Sequence, residues 1–452
     1  MTAPPDIPYA PIARHGVVGD RRAAAMVAAD GTIDWLCLPN YADFPVFGAL
    51  LDADRGGAWR LGPSRAAVGR QTYRDRSAML VTTWDLDAGT LELTDGMAWP
   101  WDNRGEADGG GDARVLIRRL RCVRGEADCA LVLRPRRNFN RAAEVRAGPN
   151  GTTFAVGDLD LRLWTDRPLT LDKDSATGAF RLRAGEDAWF VLSAGDDADR
   201  RGWSATIARD ELARADRYWR DWWERLRVDG PRADRVRRSA LTVHLLSFAP
   251  TGSPVAAPTT SLPERTGGDR NYDYRYAWVR DASLVLATLA RLGDTGAGQR
   301  YMDCLTTYRS STDSPLQIDY GVDGAMDLPV VEWDDLAGYR GSRPVRVGNR
   351  ACGQRQLDSL GHFVECALTF LEEGGEWRDR YWEMVRRAAD YTADTWREPD
   401  SGIGESGVEA QYVSSKMWLG SRSTAPRGSG SGSGPVPKPW AGARQRPTST
   451  PR

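Results

Sequence analysis

The chain has 452 residues, 41% of them hydrophobic, and a formal net charge of −1 at pH 7. This length accommodates two or three domains with apolar cores, and the near-neutral charge argues against nucleic acid or an anionic membrane as the main partner. Six scattered cysteines and three histidines predict reduced thiols and no metal site. The N-terminus is not signal-like and no apolar run is long enough to span a membrane. We therefore expect a soluble cytoplasmic protein, and the sequence does not indicate its oligomeric state.

Short apolar runs broken by glycine, aspartate and proline fill residues 26–192. In residues 159–163, leucine alternates with aspartate and arginine, which is typical of a strand with one buried face. We therefore predict an N-terminal antiparallel β-sandwich domain over residues 1–203.

The apolar period changes to that of a helix after residue 203, and residues 204–230 are predicted to form a linker helix. The apolar positions recur at spacings of three and four until Gly230 and Pro231 end them; they are Leu212, Ala215, Trp219, Trp222, Trp223 and Leu226. This spacing accounts for the tryptophans as packing residues rather than as ligand contacts.

Beyond residue 230 the pattern indicates helices joined by long, polar, glycine-rich loops. The predicted helices are 234–248, 282–291, 296–308, 356–370 and 377–396. Loops longer than about 15 residues inside a compact domain are usually functional. Residues 231–418 therefore indicate a helical toroid with a site at its loop-bearing end.

The segment GGDRNYDYRYAWVRD, residues 267–281, combines three arginines and three aspartates with three tyrosines and a tryptophan. This mixture suits a cleft for a neutral polyhydroxyl ligand, because the charged groups form hydrogen bonds and the rings stack on sugar faces. A buried salt-bridge network at the start of a helix is the alternative. The residue types by themselves leave both open.

Three later segments are also polar. GYRGSRPVRVGN (338–349) places arginines among glycines, QRQLD (354–358) begins a predicted helix, and PDSGIGES (399–406) is a turn that carries Glu405. Glycoside hydrolysis needs a carboxylic acid to protonate the leaving oxygen and a second carboxylate. Glu405 is the candidate acid, because its glycine-bounded loop can hold one carboxyl group away from bulk solvent. A surface glutamate in a turn is the alternative.

Longer stretches around these motifs resemble the sequences of a known protein family. They are IARHGVVGDRRAAAMVAADGTIDWLCLP (12–39), HLLSFAPTGSPVAAPTTSLPERTGGDRNYDYRYAWVRDAS (244–283) and PDSGIGESGVEAQYVSSKMW (399–418). Together with the segments 338–349 and 354–358, and in this order, they resemble glycoside hydrolase family 15, in particular its bacterial glucoamylase and trehalase-like branch. The similarity runs from about residue 7 to residue 418.

The resemblance implies an N-terminal β-sandwich, a linker helix and an (α/α)6 barrel, of which residues 231–418 would form an incomplete first half. It implies inverting hydrolysis of terminal α-glucosidic bonds in an α-glucoside or trehalose-like oligosaccharide, without a covalent intermediate, metal ion or cofactor. Carried over by motif, Glu405 would be the general acid. The implied substrate-binding residues are Trp278, Arg280, Asp281, Arg343, Arg346 and Gln356.

The chain departs from the family pattern in two places. Gly404 stands where the family usually has a tryptophan before the acid. The family's general base lies in the C-terminal half of the barrel, so we expect this base to be absent. Residues 419–452 have neither helical periodicity nor apolar content and are expected to be disordered. We favour an out-of-frame tail over a native flexible one.

An incomplete barrel would leave apolar helix faces without partners. Loss of a general base costs roughly 10² to 10⁴ in rate. We therefore expect the chain to be inactive or nearly so on maltose, maltooligosaccharides and trehalose. A non-catalytic carbohydrate-binding remnant is one alternative, and an unrelated helical toroid such as a cyclase is another.

Overall fold

A computed structural model describes residues 9–99, 113–139, 141–148, 151–195, 202–308, 310, 313–405 and 408–420. The disorder expected for residues 419–452 falls almost entirely on residues 421–452, which lie outside the described residues. Leu419 and Gly420 form the end of the last described helix.

An antiparallel β-sheet domain occupies the N-terminal part of the chain. Its strands are β1 His15–Gly19, β2 Ala24–Ala28, β3 Thr32–Cys37, β4 Pro45–Phe47, β5 Ala58–Pro63, β6 Arg70–Tyr73, β7 Leu80–Asp85, β8 Gly89–Met97, β9 Arg114–Arg134, β10 Arg136–Arg137, β11 Arg141–Ala142, β12 Glu144–Gly148, β13 Gly151–Val156, β14 Leu159–Thr165, β15 Thr170–Leu171, β16 Ala176–Arg183 and β17 Asp187–Ala194. These strands confirm the prediction of an N-terminal antiparallel β-sheet domain.

The long strand β9 joins the two parts of this domain. Its first half pairs with β8 and β17, and its second half pairs with β5 and β16. Leu61, Leu120 and Leu163 from these parts lie in one buried core. In β14 the leucines at 161 and 163 are buried while Asp160 is exposed, as the alternating pattern predicts.

Helix α1, Ala205–Arg225, packs between the β domain and the helices that follow. Its buried Trp219 and Trp222 share a core with Trp189 of β17 and Leu289 of the helical part. The tryptophan spacing therefore produces a packing face, in line with the interpretation made from the sequence.

Ser204 caps the N-terminus of α1, because its side chain accepts a hydrogen bond from the Ile207 amide at 3.2 Å. We expect Ser204→Ala to lower the free energy of unfolding by about 1 kcal/mol and Ser204→Asp to preserve it. Urea unfolding followed by circular dichroism measures both variants. An unchanged midpoint for the alanine variant would contradict the capping role.

The rest of the described chain is helical, with short two-stranded ladders in its loops. Its helices are α2 Ala233–Leu245, α3 Val279–Arg291, α4 Gly296–Leu305, α5 Leu357–Glu372, α6 Asp379–Thr395 and α7 Val413–Gly420, and its strands are β18 Thr260–Pro263, β19 Asn271–Asp273, β20 Ala277–Trp278, β21 Asp319–Tyr320, β22 Val331–Glu332 and β23 Arg346–Val347. A helical region after the β domain is thus confirmed, and the (α/α)6 architecture and the exact domain limits stay predictions. In the part of the chain that the structure describes, no helix combines the length and apolar character needed to cross a membrane.

Candidate active site

The segment 267–281 runs through β19 and β20 into the first turn of α3. Within it, Asp273 and Arg275 are completely buried and form a two-pronged ion pair. The Arg275 Nε donates to Asp273 Oδ1 at 2.9 Å, and its Nη2 donates to Oδ2 at 2.7 Å. For Asp273 and Arg275 the structure therefore contains a buried salt bridge, which is one of the two alternatives that the residue types left open.

Arg275 also connects this segment to the β domain. Its Nη1 donates to the carbonyl oxygens of Ala42 at 3.3 Å and Asp43 at 2.7 Å, in the loop between β3 and β4. Burial by itself would lower the pKa of Arg275, but the charge and hydrogen bonds of Asp273 outweigh it and raise that pKa. The guanidinium is therefore held charged inside the protein.

Asp273 in turn holds the loop 338–349 against the segment 267–281. Its Oδ2 accepts from the Gly348 amide at 3.2 Å, and its backbone carbonyl accepts from Asn349 Nδ2 at 3.0 Å. One buried ion pair thus fixes two of the polar segments relative to each other and to the N-terminal domain.

These segments surround a cleft of about 830 Å³. Residues that line it include Tyr272, Tyr274, Trp278, Arg280, Asp281 and Glu405. Trp278 is only 2% exposed, whereas Tyr272 is 40% exposed. The ring faces open to a ligand therefore belong to the tyrosines more than to Trp278.

Glu405 is held in this cleft by three donors that meet at one oxygen. Its Oε1 accepts from Trp278 Nε1 at 3.0 Å, from Arg280 Nη2 at 3.3 Å and from Gln356 Nε2 at 3.3 Å. Among the described residues, none donates to Oε2. The carboxyl group is thus fixed through one oxygen, and the other is left for a ligand or a proton.

The backbone at Glu405 is also unusual, because its φ is +48°. A side chain other than glycine in this left-handed region is uncommon, and such strain concentrates at functional sites. The turn 399–405 therefore holds Glu405 in a conformation that its residue type does not favour by itself.

Arg280, at the start of α3, connects the charged groups of the site. It is 7% exposed, and its Nη1 donates to Gln356 Oε1 at 2.5 Å and lies 3.6 Å from Asp358 Oδ2. Its Nη2 lies 3.6 Å from Asp281 Oδ2. Burial raises the pKa of Asp358, and the charge of Arg280 opposes this rise. The structure thus brings Trp278, Arg280, Gln356 and Glu405 into direct contact.

The two arginines expected in the loop 338–349 differ in position. Arg346 lines the cleft, donates from Nε to Glu332 Oε1 at 2.9 Å and stacks its guanidinium 5.9 Å from the Tyr272 ring centre. Arg343 is exposed and is not among the described residues that line the cleft. Its substrate-binding role stays a prediction.

Sequence reasoning missed one acidic residue beside the site. Asp319, the first residue of β21, is completely buried and stands opposite Trp278 in the β20–β21 ladder. A signal was available: an aspartate interrupts the apolar stretch LQIDYGV, residues 316–322. A charged side chain between apolar neighbours often marks a functional position, because a buried carboxyl group is costly.

Two family models match this chain. The model of the "Trehalase-like, N-terminal" domain matches residues 8–156, and that of "Glycosyl hydrolases family 15" matches residues 230–423. A trehalase of Mycolicibacterium smegmatis is 32% identical over 90% of this chain and 64% of its own length. Trehalase 1 of Sulfolobus acidocaldarius is 30% identical over 89% of this chain and 69% of its own length. The chain belongs to glycoside hydrolase family 15.

The chain covers only part of the length of two of its relatives. The match covers 64% of the Mycolicibacterium smegmatis trehalase and 63% of a trehalase of Mycobacterium tuberculosis, to which this chain is 31% identical. The chain thus spans slightly less than two thirds of the length of these two relatives. Both polar faces of its cleft, 267–281 and 399–405, lie within the residues matched by the family 15 model.

Proposed function

We propose that this family 15 protein acts on α-glucosidic bonds by inverting hydrolysis, with Glu405 as the general acid and trehalose as the substrate. The observation that carries the proposal is the convergence of three donors on Glu405 Oε1, which leaves Oε2 for the reacting proton. In the proposed step, Oε2–H protonates the glycosidic oxygen as its bond to the anomeric carbon breaks. Water attacks that carbon from the opposite face and loses a proton to a second carboxylate, which we do not assign.

The contacts of Glu405 suit this role in two ways. Before reaction, Trp278 Nε1 and Gln356 Nε2 orient the carboxyl group through Oε1. During reaction the group becomes a carboxylate, and the charge of Arg280 at 3.3 Å stabilises the negative charge that develops. The same contacts therefore position the acid and favour its ionised product.

Sugar recognition is proposed to involve other groups that line the cleft. The side chain of Asp281 is 50% exposed and offers carboxylate oxygens to glucose hydroxyls. Tyr272 and Tyr274, whose ring centres are 6.3 Å apart, offer ring faces for stacking on the sugar. Arg346 also lines the cleft, and Trp278 and Gln356 support the site through their hydrogen bonds to Glu405.

Trehalose is proposed as the substrate because the curated relatives described above are trehalases. Hydrolysis of trehalose followed by proton NMR tests both the substrate and the stereochemistry. Inversion releases one β-glucose and one α-glucose from each trehalose, whereas retention releases two α-glucose molecules. Initial release of α-glucose alone would contradict the proposed mechanism.

The same experiment decides the sequence-based expectation of inactivity. Glucose release that Glu405→Gln abolishes would contradict that expectation. Calorimetry with trehalose, run in parallel, separates binding from turnover. Binding that Arg280→Ala removes, without release of glucose by the unaltered chain, would favour the alternative of a non-catalytic carbohydrate-binding protein.

A further inference from the structure

Asp319 lies next to Trp278, the residue that donates to the proposed acid. Trp278 and Asp319 are directly paired across the antiparallel strands β20 and β21, and the Val279 amide donates to the Ile318 carbonyl at 2.8 Å. Side chains of directly opposed residues lie on the same face of such a ladder. Asp319 therefore lies beside the indole that donates to Glu405.

The environment of Asp319 differs from that of the other buried aspartate in this region. Asp273 is equally buried but is paired with Arg275. Neither side-chain oxygen of Asp319 has a hydrogen-bond partner among the described residues. An unpaired carboxylate in such a place is strongly disfavoured, so the protonated form is retained.

Titratable groups from three directions act on this position. Burial, followed by the negative charge of Glu405, raises the pKa of Asp319 to about 8. The Cys352 thiol and the Tyr320 phenol also lie near Asp319, and burial together with the charge of Asp319 raises the pKa of each. These neighbours supply no compensating positive charge, so a neutral Asp319 is consistent with its surroundings.

We propose, on the basis of the acid role of Glu405, that Asp319 is held protonated beside Trp278 and that the carboxylate of Glu405 opposes its ionisation. Ionisation of Asp319 at alkaline pH therefore places an unpaired negative charge in the protein interior, next to the cleft that holds Glu405.

The first test is the dependence of stability on pH. Folded Asp319 keeps its proton up to about pH 8, whereas an unfolded aspartate releases it near about pH 4. Because the folded state binds more protons, stability must fall as pH rises through this window. Asp319→Asn removes this decline and raises the unfolding temperature at pH 8 by at least about 5 °C, with little change at pH 4.

Asp273→Asn is the matched control for this test. It replaces an equally buried aspartate but leaves Arg275 without its partner, so it lowers the unfolding temperature at pH 8 instead of raising it. Calorimetric scans of the full chain from pH 4 to pH 9 measure all variants. An Asp319→Asn protein with the same pH-dependent decline as the unaltered chain would overturn the proposal.

The second test addresses the coupling itself. Glu405→Gln removes the negative charge that opposes ionisation of Asp319, so the midpoint of the decline moves to lower pH. The double variant Glu405→Gln/Asp319→Asn shows no decline. A midpoint that does not move in Glu405→Gln would overturn the coupling, even if Asp319 were a protonated acid.

Activity on trehalose tests the proposed function separately. If neither the unaltered chain nor Asp319→Asn releases glucose, the proposed function fails, and the two stability experiments still decide the role of Asp319.

Discussion

Replacement of Glu405 with glutamine is expected to lower kcat on trehalose by at least about 10²-fold while the protein stays folded. Glutamine keeps an oxygen that can accept from Trp278 Nε1 and Arg280 Nη2, the contacts that now fix Oε1 at 3.0 Å and 3.3 Å. It has no acidic proton to give to the leaving oxygen. Steady-state release of glucose, with circular dichroism as a check on folding, measures this effect.

A second substrate makes the test of Glu405 specific to proton donation. Fluoride leaves α-glucosyl fluoride without being protonated, so Glu405→Gln should reduce this reaction by no more than about 10-fold. Glu409→Gln is the matched control, since Glu409 is an exposed glutamate of the same segment, and it should change neither rate. An equal loss on both substrates would contradict the role of Glu405 as an acid.

Replacement of Arg275 with methionine is expected to lower the free energy of unfolding by about 3 to 5 kcal/mol, because it leaves Asp273 as an unpaired buried charge. It also removes the donor to the Asp43 carbonyl at 2.7 Å, the contact that ties the site segment to the β domain. Chemical unfolding measured by tryptophan fluorescence provides the value. Weaker trehalose binding should accompany the loss, since Asp273 also holds Gly348.

Two further variants separate the buried pair from general effects of losing an arginine. Arg270→Met is the control in the same segment: Arg270 and its partner Glu264 are 72% and 55% exposed, and such surface pairs contribute little. The double variant Arg275→Met/Asp273→Leu should be more stable than Arg275→Met, because no buried charge remains unpaired. A double variant less stable than Arg275→Met would contradict this account.

The segment 267–281 illustrates how far sequence reasoning reaches. Its composition left two alternatives open, a sugar cleft and a buried salt bridge, and within these fifteen residues the structure contains a buried salt bridge and residues that line a cleft. Asp273 and Arg275 form the buried pair, whereas Tyr274 and Arg280 line the cleft. Charged and aromatic residues are required in both environments, so residue type cannot assign them. Their direction depends on the short strands β19 and β20, which are too short to show a period.

The sequence by itself determined what local patterns and motif order encode. The helical spacing of the tryptophans in α1, the alternation in β14 and membership of family 15 were all readable from the chain. Only the tertiary structure decided that three donors meet at Glu405 Oε1 and that Asp319 is buried with no hydrogen-bond partner for its side chain among the described residues. The reason is physical: periodicity records which side of an element is apolar, whereas the surroundings of a carboxyl group depend on residues distant in sequence. Glu405 and Trp278 lie 127 residues apart in the chain and become hydrogen-bonded only when the loops fold together.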